Sequence, residues 1–434
     1  METNILRRIF FDKHQHWEAF KRKHGAKIRP IVIKEVEKFR DCGDIKNGFK
    51  LFVCEGCHDV RKVPYRCKGR FCTTCSVGES EEWSRLLTED VLQVNHRHVI
   101  FTIDEGLRDV FLLHRHLLKD LMDASARLLT DFFKKKAKVT PGIIAGLHTF
   151  GSRVNFNPHV HMLVTMGGLT EKGEWKQYDF LPFTMLRKQW QTVVLKLIRN
   201  GVSPREKKRI QPRLQKAFTN NGEGFYVYAP KQRGKIKEQL RYIGRYIRRP
   251  AIGINRIEAY DGQFVTFKYK DKTDGKDKSE TVSVEEFISR LIRHIPDEQF
   301  KTIRHYGMYS RRSKNLCKKV LSTWQQKARR WVVKVKKTLR RQTWRERIVA
   351  SGKKDPLVCQ RCECYYEYKG EVCLEDGKLE IKVALCKTTR AYLERVINDL
   401  TGIKNPQKRK EKEEKYNHKP VQETERQLCL FGVS

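Results

Sequence analysis

Two Cys-x-x-C knuckles, Cys54-Glu-Gly-Cys57 and Cys72-Thr-Thr-Cys75, stand close together near the start of a 434-residue chain. Paired knuckles at such spacing can present four thiolates to one ion, and tetrahedral thiolate coordination is what zinc takes in structural sites. Folding of this region is therefore tied to metal, with structural Zn2+ expected on Cys54, Cys57, Cys72 and Cys75. Cys42, Cys67 and His58 exceed what one tetrahedral ion takes, and they either build a further zinc site or are simply buried. Much later, Cys359-Gln-Arg-Cys362 opens a small unit with Cys364, Cys373 and Cys386. A second knuckle is missing there, so Cys359 and Cys362 either bind zinc or belong to a degenerate ribbon. The 13 cysteines fit thiolate ligation in a reducing compartment better than disulfides.

The charge balance sets the partner. Lys and Arg number 91 against 51 Asp and Glu, a net charge of +40. Such an excess attracts polyanions and repels itself when no partner is present, so nucleic acid is the expected partner. Lys62, Arg66, Lys68 and Arg70 surround the knuckles, which points to a zinc-stapled module that touches phosphates. A hydrophobic fraction of 39% still permits globular cores. No apolar run approaches a membrane-spanning length and the first residues lack a signal-peptide core, so no membrane partner is expected.

Periodicity gives the organisation. Residues 4 to 25 read as a helix with Ile5, Ile9, Trp17 and Phe20 on its buried stripe. His98 to Ile103 reads as a strand, and Leu107 to Lys135 as a helix. The runs Ile143 to Phe150 and Asn157 to Val164 read as two strands of a hairpin turning through Gly151-Ser152. Side chains alternate along a strand, so His159 and His161 project from one face, and His148 on the neighbouring strand offers a third imidazole. A helix follows at 183 to 199. Residues 200 to 223, polar and basic with Pro204, Pro212 and Asn220-Asn221-Gly222, read as a loop-rich insertion. Phe225 to Ala229 is another strand. In Glu238 to Pro250, Tyr242 and Tyr246 share one helix face, with Arg245, Arg248 and Arg249 placed to pair with phosphates. The same tyrosine spacing also suits a helix core. Ile257 to Tyr269 reads as a hairpin through Asp261-Gly262, and residues 284 to 295 as a helix. Between Arg311 and Arg347 lies a long basic helix with an apolar stripe.

A metal on paired histidines and a tyrosine pair on a basic helix form a set suited to cutting single-stranded DNA. The metal serves as Lewis acid on the scissile phosphate and tyrosine as nucleophile. Imidazole ligands with open positions suit Mg2+ or Mn2+ as working ions. At these residues the sequence resembles the two-tyrosine HUH transposases of rolling-circle insertion sequences, distant relatives of Helitron transposases, replication initiators and relaxases. The resemblance is carried by Cys54 to Cys75 with Cys67-Lys-Gly-Arg-Phe-Cys72, by His148-Thr-Phe-Gly and by Asn155-Phe-Asn-Pro-His159-Val-His161. Tyr242-Ile-Gly-Arg-Tyr246 and Ile303-Arg-His-Tyr-Gly307 complete it. The chain departs from the family at Asn157, where another histidine is expected.

The resemblance implies an α+β protein with a central HUH nuclease domain, an antiparallel sheet flanked by helices. It implies metal on His159, His161 and His148, nucleophiles at Tyr242 and Tyr246, and DNA contacts that include Arg304 and His305. The expected partners are single-stranded or hairpin element ends and target DNA, in a cytoplasmic, nucleoid-associated bacterial protein. The expected domains are a zinc module at 1–90, the nuclease at 91–310 with its insertion at about 170–223, and the basic segment at 311–350. A small cysteine-containing domain at 351–402 and a disordered charged tail at 403–434 complete the chain. A plasmid replication initiator or relaxase would use the same chemistry, and a non-catalytic zinc-dependent DNA-binding regulator is the reading of a different class.

Overall fold

The structure, a computed structural model, describes residues 4–69, 71–92, 94–229, 244, 250–271, 273–311, 313, 317, 342–350 and 354–402. It is an α+β protein whose contacts divide it into two units, Met1–Glu35 with Glu79–Leu339, and Val36–Gly78 with Arg340–Ser434. Among the described residues no helix is long and apolar enough to cross a membrane.

The first unit is built on a five-stranded antiparallel sheet. Its strands run in the order Ile303–Gly307, Gly142–Phe150, Phe156–Thr165, His96–Phe101 and Val227–Tyr228. The central hairpin is the one read from alternation, and its register sets His148 directly opposite His159. One face of the sheet, with Ile143, Ala145, Leu147, Val160, Met162 and Val164, is buried under the helices Leu117–Ala137 and Phe183–Gly201. Trp190 on the second of these is fully buried, and its indole Nε1 donates to the Thr102 carbonyl at 2.7 Å, so the burial leaves no polar atom stranded. On the other face, Ile144 and Leu163 pack with Leu87, Val91, Leu92, Met308 and Tyr309. Buried on both faces, the central strands carry apolar residues at nearly every position.

Three local expectations change. The N-terminal helix is two, Ile5–Phe11 and His16–His24, separated where Gln15 takes a left-handed backbone. The expected 257–269 hairpin is present, and Asp261 Oδ1 caps its turn by accepting from the Gln263 and Phe264 N–H groups. It gains a third strand, Asp277–Ser283, whose polar sequence gave no alternation signal. The segment 200–223 is mostly helix, Pro204–Thr219. Ser203 and Glu206 form a reciprocal capping box with Pro204 in the first turn, while Ile210, Leu214 and Ala217 form a buried stripe hidden in sequence by the surrounding charge.

The second unit joins sequence-distant segments. Its four-stranded antiparallel sheet runs Lys378–Ala384, Tyr366–Glu375, Gly48–Cys54, Val60–Pro64. The helix Lys387–Thr401 lays Leu393, Val396 and Ile397 on Phe49, Leu51, Val372 and Leu379. Gly48, at φ +103, opens the Gly48–Cys54 strand where an added Cβ would stand 2.5 Å from the Val372 carbonyl oxygen. The expected separate modules at 1–90 and 351–402 thus share one sheet, because Gly48–Cys54 finds its partner strand in Tyr366–Glu375. Arg70, Tyr242, Arg245, Tyr246, Arg248, Arg249, most of the 311–350 segment and the 403–434 tail lie outside the described residues.

Candidate functional site

The hairpin brings three imidazoles together. His148, His159 and His161 each offer a nitrogen, and these nitrogens all lie within 4.8 Å of one another. Ring centroids are 4.4 Å apart for His148 and His161, 4.7 Å for His159 and His161, and 5.4 Å for His148 and His159. Phe150 stacks on His148 at 4.8 Å. Burial, followed by the neighbouring His148, His159 and His98, holds His161 well below the usual histidine range. A neutral imidazole keeps the lone pair that a metal needs.

Hydrogen bonds aim those lone pairs. His159 Nδ1 lies 2.7 Å from the Asn157 carbonyl, which can only accept, so Nδ1 carries the proton and Nε2 is the ligand atom. Asn157 therefore orients His159 through its backbone carbonyl. His161 Nδ1 lies 2.9 Å from His98 Nε2. A metal on His161 Nε2 requires the proton on Nδ1, and that N–H then donates to His98. Burial and, second, the nearby His159 lower His98 to about 4, so it too is neutral. Sequence reading placed His98 only in a strand. Its signal was register, since the row through His98 and Leu163 adjoins the row of His161. With His159 and His161 oriented by their partners and the His148 nitrogen within 4.8 Å of both, the donor set fits a divalent ion.

The cysteines sort differently from expectation. Cys42, Cys67, Cys72 and Cys75 form one cluster, with Sγ–Sγ separations of 3.6 Å for Cys42–Cys75, 3.7 Å for Cys42–Cys72 and 3.8 Å for Cys67–Cys75. Cys54 and Cys57 meet Cys359 and Cys362 in another, at 3.3 Å for Cys54–Cys362 and 3.5 Å for Cys57–Cys359. Zn–S bonds of about 2.3 Å give tetrahedral edges of about 3.8 Å, whereas a disulfide needs about 2.05 Å. The expected set of Cys54, Cys57, Cys72 and Cys75 does not converge on one point, because each knuckle has its own pair of partner thiols. His58 is in neither cluster, and its backbone N–H closes the first knuckle onto the Cys54 carbonyl at 3.1 Å.

Two expected DNA contacts occupy opposite faces. His305 pairs with Ile144 and shares the histidine face, where it is exposed. Arg304 points to the other face, where its Nε meets Asp123 at 3.2 Å and Tyr306 donates to the same carboxylate at 2.7 Å. Tyr228 pairs with Ile100, which pairs with His161, so Tyr228 stands on the histidine face. Tyr226 and Tyr228 are 51% and 44% exposed, stacked at 6.0 Å, with the Arg187 guanidinium 4.9 Å from the Tyr226 ring centroid.

Known proteins align with both sites. The family described as "Transposase zinc-binding domain" matches residues 12–103, and the family described as "Putative transposase" matches residues 142–317. The transposase for insertion sequence element IS801 of Pseudomonas savastanoi pv. phaseolicola is 28% identical over 318 residues, covering 70% of this chain and 75% of its own. A protein of Sinorhizobium fredii named "Putative transposase y4qJ" is 27% identical over 318 residues, covering 69% and 79%. No solved structure matches the chain. The zinc-binding match spans the Cys42 cluster and the transposase match spans the three histidines, so at both clusters the chain is similar to the zinc-binding transposases of insertion sequences.

Proposed function

We propose that the protein nicks single-stranded DNA at the ends of its element through Tyr242 or Tyr246 and transfers the cut strand to target DNA. The observation that carries this reading is the convergence of His148, His159 and His161. A divalent ion such as Mg2+ or Mn2+ held there would withdraw charge from a non-bridging oxygen of the scissile phosphate. The tyrosine oxygen attacks phosphorus, the P–O3′ bond breaks, and the leaving 3′ oxygen takes up a proton. The strand remains joined through a 5′-phosphotyrosine. A later 3′-hydroxyl attacks that ester, returns the proton to tyrosine and rejoins DNA without a nucleotide cofactor.

Gly244, between the two tyrosines in sequence, supports the assignment. It is helical and buried, and a Cβ added to it would meet Ser84 Oγ at 2.9 Å and Leu87 Cδ2 at 3.2 Å. Leu87 packs with Ile144 and Leu163 on the histidine face. The exposed Tyr226 and Tyr228 supply flat surfaces on that same face, which favours unpaired bases over duplex. The Cys42 cluster holds the structural zinc of the zinc-binding domain.

The test is incubation of the full-length protein with single-stranded element-end DNA and Mg2+. A protein–DNA adduct stable to boiling in detergent is expected, lost in the Tyr242→Phe, Tyr246→Phe double variant and strongly reduced in His159→Ala. An adduct undiminished in the double variant would overturn the tyrosine assignment.

A further inference from the structure

We propose that Cys54, Cys57, Cys359 and Cys362 hold a second structural zinc ion, which clasps together the two sequence-distant parts of the second unit. The zinc-binding family match ends at residue 103, so half of these ligands lie outside it. Each knuckle alone offers two thiols. Facing each other they offer four, with sulfurs already at separations near those of a tetrahedral zinc site.

The backbone makes the same case independently. The residue after the second cysteine of each knuckle has a left-handed conformation, His58 at φ 56 and Glu363 at φ 60. In each, the N–H of that residue returns to the carbonyl of the first cysteine, His58 to Cys54 at 3.1 Å and Glu363 to Cys359 at 3.0 Å. Non-glycine residues avoid this conformation unless surrounding structure demands it. Two unrelated tetrapeptides thus present their paired thiols from facing turns of the same form. The Cys72 knuckle, by contrast, runs into the helix Thr73–Asp90.

Packing closes the site. The sheet delivers the knuckles, since Cys54 pairs with Tyr366 at the end of the ladder and the Glu55 N–H donates to the Tyr365 carbonyl at 3.0 Å. Gly56 allows the approach: a Cβ there would stand 2.5 Å from Cys364 Sγ and 3.2 Å from Cys362 Sγ. With four protein sulfurs the coordination is complete and leaves no position for water or substrate, so the ion is structural.

Metal analysis of the full-length protein, purified under reducing conditions, should find two zinc ions per chain. Cys359→Ser with Cys362→Ser should leave one, Cys42→Ser with Cys72→Ser should leave one, and Cys364→Ser should leave two. A single zinc in the wild type, or no loss in the Cys359, Cys362 variant, would overturn the proposal. Because a variant can lose metal by misfolding, the wild type is also alkylated before and after zinc chelation and the modified cysteines are mapped. Cys54, Cys57, Cys359 and Cys362 should be protected together and released together, while the exposed Cys386 reacts throughout. Free reaction of the four in the zinc-loaded protein would equally overturn it. Neither readout depends on whether the protein cuts DNA.

Discussion

His98 Nε2 and His161 Nδ1 lie 2.9 Å apart, on rings whose centroids are 5.1 Å apart and whose planes are 25° from parallel. Such a partner fixes both the tautomer and the orientation of a metal-binding imidazole. His98→Phe keeps the ring volume and removes the bond. The apparent Mn2+ affinity for DNA nicking should fall about 10- to 100-fold, while activity at saturating Mn2+ recovers most of the wild-type rate. An unchanged metal titration would reduce His98 to a packing role.

Tyr226 and Tyr228 should contribute to binding single strands but not duplexes. Base stacking on an aromatic ring is worth roughly 1–3 kcal/mol per base. Tyr226→Ala with Tyr228→Ala should therefore weaken single-strand affinity by at least about 5-fold, measured by fluorescence anisotropy at fixed salt, with duplex affinity retained. Equal losses for both DNA forms would argue against stacking.

Gly244→Ala places a methyl 2.9 Å from Ser84 Oγ and 3.1 Å from Ser84 Cα. Overpacking of this kind costs about 1–3 kcal/mol. Adduct formation should slow by roughly 10-fold, with metal and single-strand affinity unchanged, and Ser84→Gly in the same chain should restore part of the rate. Wild-type adduct kinetics in Gly244→Ala would show that this packing does not position the nucleophile.

Stability should depend on pH through two histidines outside the His148, His159, His161 cluster. Burial lowers His96 and His294 to about 4 each. His96 is held by the Val94 carbonyl at 2.7 Å and the Tyr309 hydroxyl at 2.6 Å, and His294 lies 3.0 Å from the Val154 carbonyl. Unfolded histidine titrates near 6.5, so between the two values the unfolded chain binds more protons and stability rises with pH. Their contribution is complete above about pH 6.5 and declines towards about pH 4, by at most about 1.4 kcal/mol per pH unit for each. Urea midpoints measured across this range should fall less steeply with acid in His96→Gln, His294→Gln than in the wild type.

The convergence of the three histidines was legible because a period of two and a short hairpin are local signals, and the two strands that carry them are adjacent in sequence. Whether Cys54 and Cys57 would meet Cys72 and Cys75 was not legible. Proximity in sequence favoured that grouping, whereas the ladder from Gly48–Cys54 to Tyr366–Glu375 decided otherwise. Nothing local to either knuckle records its partner. Pro204–Thr219 was missed for another reason, because its stripe of Ile210, Leu214 and Ala217 is sparse among basic residues. Arg304 and His305, both expected as DNA contacts, are separated by one step along a strand, which is the difference between the two faces of a sheet, and on its face Arg304 meets Asp123.

The pairing of Gly48–Cys54 with Tyr366–Glu375 also imposes a schedule on biosynthesis. Cys57 and Cys359 are 302 residues apart, about 15 to 60 s of ribosome travel at 5–20 residues per second. Throughout that interval the Gly48–Cys54 strand has one open edge and its knuckle has half a ligand set, while the intervening chain is completed. A polypeptide abandoned midway therefore never assembles this sheet, so only translation through to the last strands yields the whole second unit.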